Sequence, residues 1–129
     1  MNDGTRDQVS VTFPASPEFS RIGRVAIAGV ALRLGVEIAV VERLRAAVDN
    51  AVDAMAGAGR IHLDARWEPD RLLITVDNPD RGLTDDDADA IRTTLASLAD
   101  DVRVDHAGVS LMFVAAPASS VSAAAESQA

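Results

Sequence analysis

Cysteine is absent from this chain of 129 residues, and aromatic residues are scarce: there are three Phe, one Trp and no Tyr. Without cysteine the chain can form no disulfide bond, no thiol nucleophile and no cysteine-ligated zinc site. A core with so few aromatic side chains has to be built mainly from Val, Leu, Ile and Ala. The sequence also lacks an apolar run long enough to span a bilayer and an apolar segment of the signal-peptide type. We therefore expect a cytoplasmic protein.

Basic residues are also fewer than acidic ones. The chain has 12 basic residues against 20 acidic ones, which gives a net charge of −8. Because this charge repels phosphate groups, nucleic acids and anionic membranes are not expected as partners. The two histidines, His62 and His106, lie far apart in the sequence and lack the spacing of metal ligands, so no metal site is expected.

The hydrophobic pattern predicts five strands and three helices in the order β-α-α-β-β-α-β-β. Alternating apolar residues indicate the strands, for example Ile61, Leu63, Ala65 and Trp67, and apolar residues at helical spacing indicate the helices. This order predicts a two-layer α/β (α+β) sandwich, with three helices on one face of a mixed, mostly antiparallel five-stranded sheet. We expect a flexible N-terminus over 1–8, one domain over 9–116, and a disordered tail over 117–129, where small and polar residues prevail.

Several local signals place the ends of these helices. Ser16 and Pro17 mark the start of the first helix, and Gly35 marks its end. Thr84 is a good N-cap for the third helix. The second helix has a predicted buried stripe consisting of Ile38, Val41, Leu44, Val48, Val52 and Met55.

Four stretches in this order resemble the anti-sigma-factor serine kinases of the GHKL ATPase superfamily, which have the Bergerat fold. They are "FPASPEFSRIGRVAIAGVALRLGV", "VERLRAAVDNAVDAM", "RLLITVDNPDRGL" and "LASLADDVRVDHAGVSLMFV". In that family they correspond to the first strand and helix, the N-box helix, the G1 box, and the last helix with the closing hairpin. The resemblance covers roughly residues 9–115 and implies a site for ATP and Mg²⁺.

The N-box of the family reads roughly A-V-D-E-A-x-x-N-A, where the Glu is the general base and the Asn binds Mg²⁺. In "AVDNAVDAM" the resemblance places Asn50 at the Glu and Ala54 at the Asn. Asn cannot accept a proton as a carboxylate does, and Ala cannot ligate a metal. Asp49 and Asp53 have the same spacing one position earlier, which turns them by about 100° around the helix. Asn50 is alternatively a solvated residue without a role in a site.

The G1 box of the family, D-x-G-x-G, is matched by "DNPDRG". The resemblance makes Asp77 the adenine ligand, while Pro79 and Arg81 stand at the two glycines and Gly82 follows one place late. Pro79 removes a backbone donor and stiffens the loop. Asp77 has an alternative role as an ordinary turn residue at the end of a strand. The closing-strand Gly-Thr of the family appears as Gly108–Val109.

An acidic run stands where the family has its glycine-rich lid and a phosphate-binding helix N-terminus. Asp85, Asp86 and Asp87 would occupy this positive end of the helix and repel a triphosphate. We consider these three carboxylates as a partner-binding surface. The alternative is that they only cap the third helix. Glu42, Asp49 and Asp53 form a second acidic group, which is either solvated or faces a basic partner.

The resemblance together with the lost residues predicts a regulatory protein that binds a sigma factor or an anti-sigma antagonist in bacterial partner switching. Its ATP binding and kinase activity are expected to be weakened or lost. One alternative is an active ATP-dependent serine/threonine kinase that uses Asp49, Asp53 or Asn50. Another is a structural partner subunit without enzymatic activity. A second copy of the chain is a further candidate partner.

Overall fold

The computed structural model of the chain describes residues 8–114. In chain order the strands and helices are β1 (Gln8–Pro14), α1 (Ser20–Arg33), α2 (Ile38–Ala54), β2 (Arg60–Glu68), β3 (Arg71–Asp77), α3 (Asp85–Leu95), β4 (Asp101–Val104) and β5 (Gly108–Val114). A short 3₁₀ turn, Pro17–Phe19, precedes α1. This arrangement confirms the predicted α+β fold, its element order and its three helices. Gln8 belongs to β1, and the expectations for residues 1–7 and 115–129 lie outside the described residues.

The five strands form one sheet in the order β1-β2-β3-β5-β4. All four neighbouring pairs are antiparallel. The sequence predicted a mixed, mostly antiparallel sheet, and the mixed part of that prediction is wrong. The absence of a parallel pair among the described strands follows from the position of β4. β4 runs parallel to β3, but β5 lies between the two strands and is antiparallel to both.

The core lies between the three helices and one face of the sheet. On β2 the predicted alternation is confirmed, because Ile61, Leu63, Ala65 and Trp67 are buried while the intervening side chains face outward. The same alternation holds on β3 and β5. The opposite face of the sheet therefore carries polar and partly exposed side chains, and it is called the open face below.

Two details of the helices differ from the sequence predictions. Ser16 makes no capping hydrogen bond through its side chain, and the first helix begins with the 3₁₀ turn before α1 starts at Ser20. Such turns are frequent at helix N-termini. The predicted burial of Ile38 is wrong: it is the first residue of α2 and is 63% exposed, whereas Val41 and Leu44 are buried. Across residues 8–114, none of the helices has the length and apolar character that crossing a bilayer requires.

Candidate functional site

A groove between α2 and α3 contains the two N-box positions that the resemblance singles out. It has a volume of about 290 Å³ and is lined by Asn50, Asp53, Ala54, Ala90, Ile91, Thr94 and Leu95. The structure thus brings Asn50 and Ala54 together on one side of this groove, with α3 forming the other side. The polar side chains are Asn50, Asp53 and Thr94, and no basic residue among residues 8–114 lines the groove.

The side chain of Asn50 is bonded within its own helix. Its amide donates a hydrogen bond of 2.8 Å to the carbonyl oxygen of Ala46, one turn earlier. Asp49 is directed elsewhere, because its carboxylate lies 3.9 Å from Nε of Arg24 on α1. Asp53 is therefore the one carboxylate of α2 that lines the groove.

Asp77 does not line this groove. It lies on the open face, directly across from His62 of β2, in a depression of about 260 Å³ that also includes Thr75. On the neighbouring strand, Thr12 Oγ1 is 3.0 Å from His62 Nδ1. The adenine-ligand position inferred from the resemblance and the two N-box positions are thus on opposite sides of the sheet.

The next residue, Asn78, has the opposite orientation and is completely buried, with 0% of its surface exposed. Its amide donates to the carbonyl oxygens of Met55 and Ala58 at 3.0 and 2.9 Å. Its Oδ1 accepts a hydrogen bond of 3.0 Å from the backbone N–H of Asp80. Asn78 therefore joins the end of α2 to the loop after β3, a role that we did not predict. The signal was present, since Asn78 continues the i+2 series of buried residues Leu72, Ile74 and Val76.

Gly82 is exposed in the same loop and does not line the groove. The Arg81 side chain donates a hydrogen bond of 3.0 Å to the Gly82 carbonyl oxygen. The same Arg81 nitrogen lies 3.7 Å from the carboxylate of Asp87. The loop after β3 is thus connected to the start of α3 by a basic side chain.

The acidic start of α3 is built as a capping box. Thr84 Oγ1 accepts a hydrogen bond from the Asp87 N–H, and the Asp87 carboxylate accepts one from the Thr84 N–H. The hydrogen bond from the Thr84 backbone is the main reason why the pKa of Asp87 is lowered, and the Thr84 hydroxyl and Arg81 add to this effect. Asp87 thus serves the cap, whereas Asp85 and Asp86 are exposed.

The groove between α2 and α3 offers few side chains that could ligate a metal ion. Among residues 8–114 there is no group of three or more His, Cys, Asp or Glu side chains able to hold a metal ion. In the groove, Ala54, which the resemblance matches to the Mg²⁺ ligand, has no ligating side-chain atom. The donor set of the groove therefore does not fit Mg-ATP.

Comparison with known proteins adds no assignment. No protein-family model matches the chain, and no curated protein matches it.

Proposed function

We propose that this chain is a protein-binding regulatory domain of the anti-sigma-factor type, acting in bacterial partner-switching control of transcription. In this proposal ATP binding and serine kinase activity are weakened or lost. The observation that supports it is the groove between α2 and α3, which is lined by Asn50 and Ala54, the two residues that the resemblance matches to the general base and the Mg²⁺ ligand.

The chemistry of the groove supports the loss of ATP binding. A triphosphate with Mg²⁺ requires cationic or N–H donors for its oxygens and carboxylate or carbonyl ligands for the metal. Within the described part of the chain, the only charged side chain in the groove is Asp53, which is negative, and the remaining surface comes mostly from Ala54, Ala90, Ile91 and Leu95. Such a site repels phosphate and offers few hydrogen bonds to it.

One feature favours an active serine kinase as the second candidate. Asp53 brings a carboxylate into the groove one position before Ala54, and a carboxylate is able to orient or deprotonate an attacking hydroxyl. In this candidate Asp53 replaces the missing base, so nucleotide has to bind beside it. Mg-ATP binding therefore distinguishes the two candidates.

The experiment has a nucleotide part and a partner part. Isothermal calorimetry with Mg-ATP is expected to give no binding or only millimolar affinity. Affinity capture with and without Mg-ATP is expected to recover a sigma factor or an anti-sigma antagonist in both conditions, and the purified partner should bind directly. Micromolar Mg-ATP binding that is lost in Asp53→Ala would instead favour the kinase. Recovery of only other proteins would favour a structural partner subunit.

A further inference from the structure

One end of the open face carries a concentration of arginines. Within residues 8–114 the three helices pack on the other face of the sheet, so this end is accessible. A depression of about 450 Å³ there is lined by the side chains of three arginines and two apolar residues, together with shorter polar side chains. The arginines are Arg66 of β2, Arg71 of β3 and Arg103 of β4, and the apolar residues are Leu73 and Met112. These five residues are called the arginine basin below.

Strand pairing determines the spacing of these side chains. Arg66 lies opposite Leu73, and Leu73 lies opposite Met112, so the three form one row across neighbouring strands. Met112 in turn lies opposite Asp101 of β4, and Arg103 follows two residues later on the same face. Because neighbouring strands are about 4.8 Å apart, three strand spacings, or about 14 Å, separate Arg66 from Arg103 across the sheet. The two apolar side chains lie between these arginines.

Each arginine of the basin contacts a carboxylate through Nε. Arg71 Nε donates a hydrogen bond of 2.7 Å to Glu68, and Arg66 Nε lies 3.7 Å from the same carboxylate. Arg103 Nε donates a hydrogen bond of 3.2 Å to Asp101. A guanidinium group has five N–H donors, and most of them are on its two terminal nitrogens. Within residues 8–114, these contacts therefore leave the terminal nitrogens of all three arginines available to a ligand.

The charge of the basin is opposite to the charge of the whole chain. Three arginines and one carboxylate, Asp101, line the depression, whereas the net charge of the chain is −8. An anionic group is therefore attracted to this place and repelled by most of the remaining surface. At the other end of the open face, Asp64 and Asp77 line a second depression. A polynucleotide or an anionic membrane that extended past the basin would be repelled there, so the basin favours a short anionic ligand.

The spacing of the arginines favours a peptide segment over a small anion. A single carboxylate or phosphate group cannot contact both Arg66 and Arg103 across about 14 Å. The floor of the basin belongs to β3 and β5, which are paired with a strand on either side. A peptide that lies on them has to satisfy its own backbone hydrogen bonds, as an α-helix does. A helix diameter of about 10–12 Å also fits between the two arginines.

We propose that the arginine basin docks an amphipathic helix of a protein partner. The apolar stripe of this helix rests on Leu73 and Met112, and carboxylates on both sides of the stripe pair with the three arginines. The sheet then has helices on both of its faces. This inference goes beyond the proposed function, which rests on the groove between α2 and α3 and assigns no role to the open face.

A synthetic helix tests the proposal. The probe is a peptide of about 14 residues, about 21 Å long, held helical by a side-chain staple, with Leu at i, i+4 and i+7 and Glu on both sides of this stripe. In a nuclear magnetic resonance titration of the isotope-labelled chain, we expect the backbone signals of Leu73, Ser110 and Met112 to shift. The control peptide has Gln in place of every Glu. It should bind at least about tenfold more weakly, because it keeps the apolar stripe and loses the charge-assisted hydrogen bonds.

Two double variants with the same net charge separate the basin from a general effect of charge. Arg66→Gln with Arg103→Gln removes two basin arginines and should weaken binding of the Glu peptide at least about tenfold. Arg45→Gln with Arg92→Gln is the matched control. Arg45 and Arg92 also contact carboxylates of their own chain, but they lie on α2 and α3, on the other side of the sheet. The control should bind the Glu peptide as the wild type does.

Circular dichroism and melting curves establish that both double variants are folded. No detectable shift at millimolar peptide, shifts confined to the helices, equal affinity of the two peptides, or equal losses in the two double variants would overturn the proposal. An oligonucleotide with the same charge as the Glu peptide should not displace it at equal concentration. Displacement would make the basin a general anion site and would also overturn the proposal.

Discussion

The side-chain amide of Asn78 donates a hydrogen bond of 3.0 Å to the carbonyl oxygen of Met55, the C-cap residue that follows α2. A second bond to Ala58 extends this contact into the connection before β2. The Met55 carbonyl group has no helical partner past the end of α2, and a buried acceptor without a partner costs free energy. One polar side chain therefore fixes the end of α2 relative to the end of β3, beside the candidate site.

Replacing Asn78 should therefore destabilise the fold. Asn78→Ala removes the donor from the buried carbonyl group of Met55 and from the part-buried carbonyl group of Ala58. Because an unsatisfied buried group costs about 1–3 kcal/mol, we expect a loss of that size in the free energy of unfolding, measured by urea denaturation. Asn50→Ala is the matched control, because its amide bonds only within its own helix and is exposed, and it should cost less than about 1 kcal/mol. Equal effects of the two substitutions would contradict this role of Asn78.

Gly108, at the start of β5, is required by close backbone packing. A Cβ at this position would overlap the carbonyl oxygen of Val76 and would lie 2.6 Å from the Cβ of Asp77. These are atoms of a neighbouring strand and cannot move aside independently. Gly108→Ala should cost about 1–3 kcal/mol by the usual cost of overpacking.

Gly82→Ala provides the comparison for Gly108. Gly82 has open space around its missing Cβ and no positive φ, so alanine should be neutral or stabilise the protein by up to about 1 kcal/mol. Thermal melting of the two variants measures the difference. If Gly108→Ala melts at the wild-type temperature, the close approach to Val76 is not a constraint on this strand.

The capping box at α3 predicts a dependence of stability on pH. The pKa of Asp87 is lowered in the folded state, chiefly by the hydrogen bond from the Thr84 backbone. Its stabilising contribution is therefore present above the ordinary aspartate pKa of about 3.9 and is lost as the pH falls through the lowered value. Asp87→Asn should melt at a lower temperature than wild type at about pH 7, and this difference in melting temperature should disappear at about pH 2.

Much of the fold could be predicted because its signals are periodic. The alternation of Ile61, Leu63 and Ala65 was enough to identify β2 and its buried face, and the pattern around Thr84 identified the start of α3. Periodicity was insufficient at the helix ends. Ile38 continues the apolar spacing of α2 but is its first residue, where the side chain extends past the packed turns and remains exposed.

The candidate site could be predicted less well, because its geometry depends on which way a strand-end residue points. Strand alternation places Asp77 on the open face and Asn78 among the buried residues. A motif comparison considers residue types and spacing, and the carboxylate of Asp77 was the obvious match. The relative placement of Asn50 and Ala54 was easier to predict, since they are four residues apart on one helix and must lie on the same side of it.

If the proposed correspondence of the groove to the family's ATP site is right, introducing the family's residues there should create part of that chemistry. Asn50→Glu with Ala54→Asn places a carboxylate and an amide oxygen on the groove side of α2, where both positions lie. We expect Mg²⁺-dependent ATP affinity to rise, with a modest effect because no basic residue lines the groove. Calorimetry with and without Mg²⁺ measures the change, and Glu42→Ala, on the same helix outside the groove, is the control. A folded double mutant with no gain would argue against the proposed correspondence of these positions.

The acidic start of α3 offers a way to separate recognition from capping. Asp87 serves the capping box, whereas Asp85 and Asp86 are exposed and are not part of it. If these two carboxylates steer a basic partner, Asp85→Lys with Asp86→Lys should slow association several-fold while changing dissociation little, because charges at the rim of an interface act mainly on the encounter.

Salt provides the control within the same measurement. Exposed charges are screened over about 8 Å at physiological ionic strength, so the association rate of the wild type should fall as salt rises, and the double variant should show a weaker dependence. Stopped-flow kinetics with a captured, purified partner give both rates. Asp87→Asn is the matched variant, since it weakens the cap while leaving Asp85 and Asp86 in place, and it should lower thermal stability with little change in association. An association rate independent of salt and unchanged in the double variant would leave the acidic residues with a role in the helix alone.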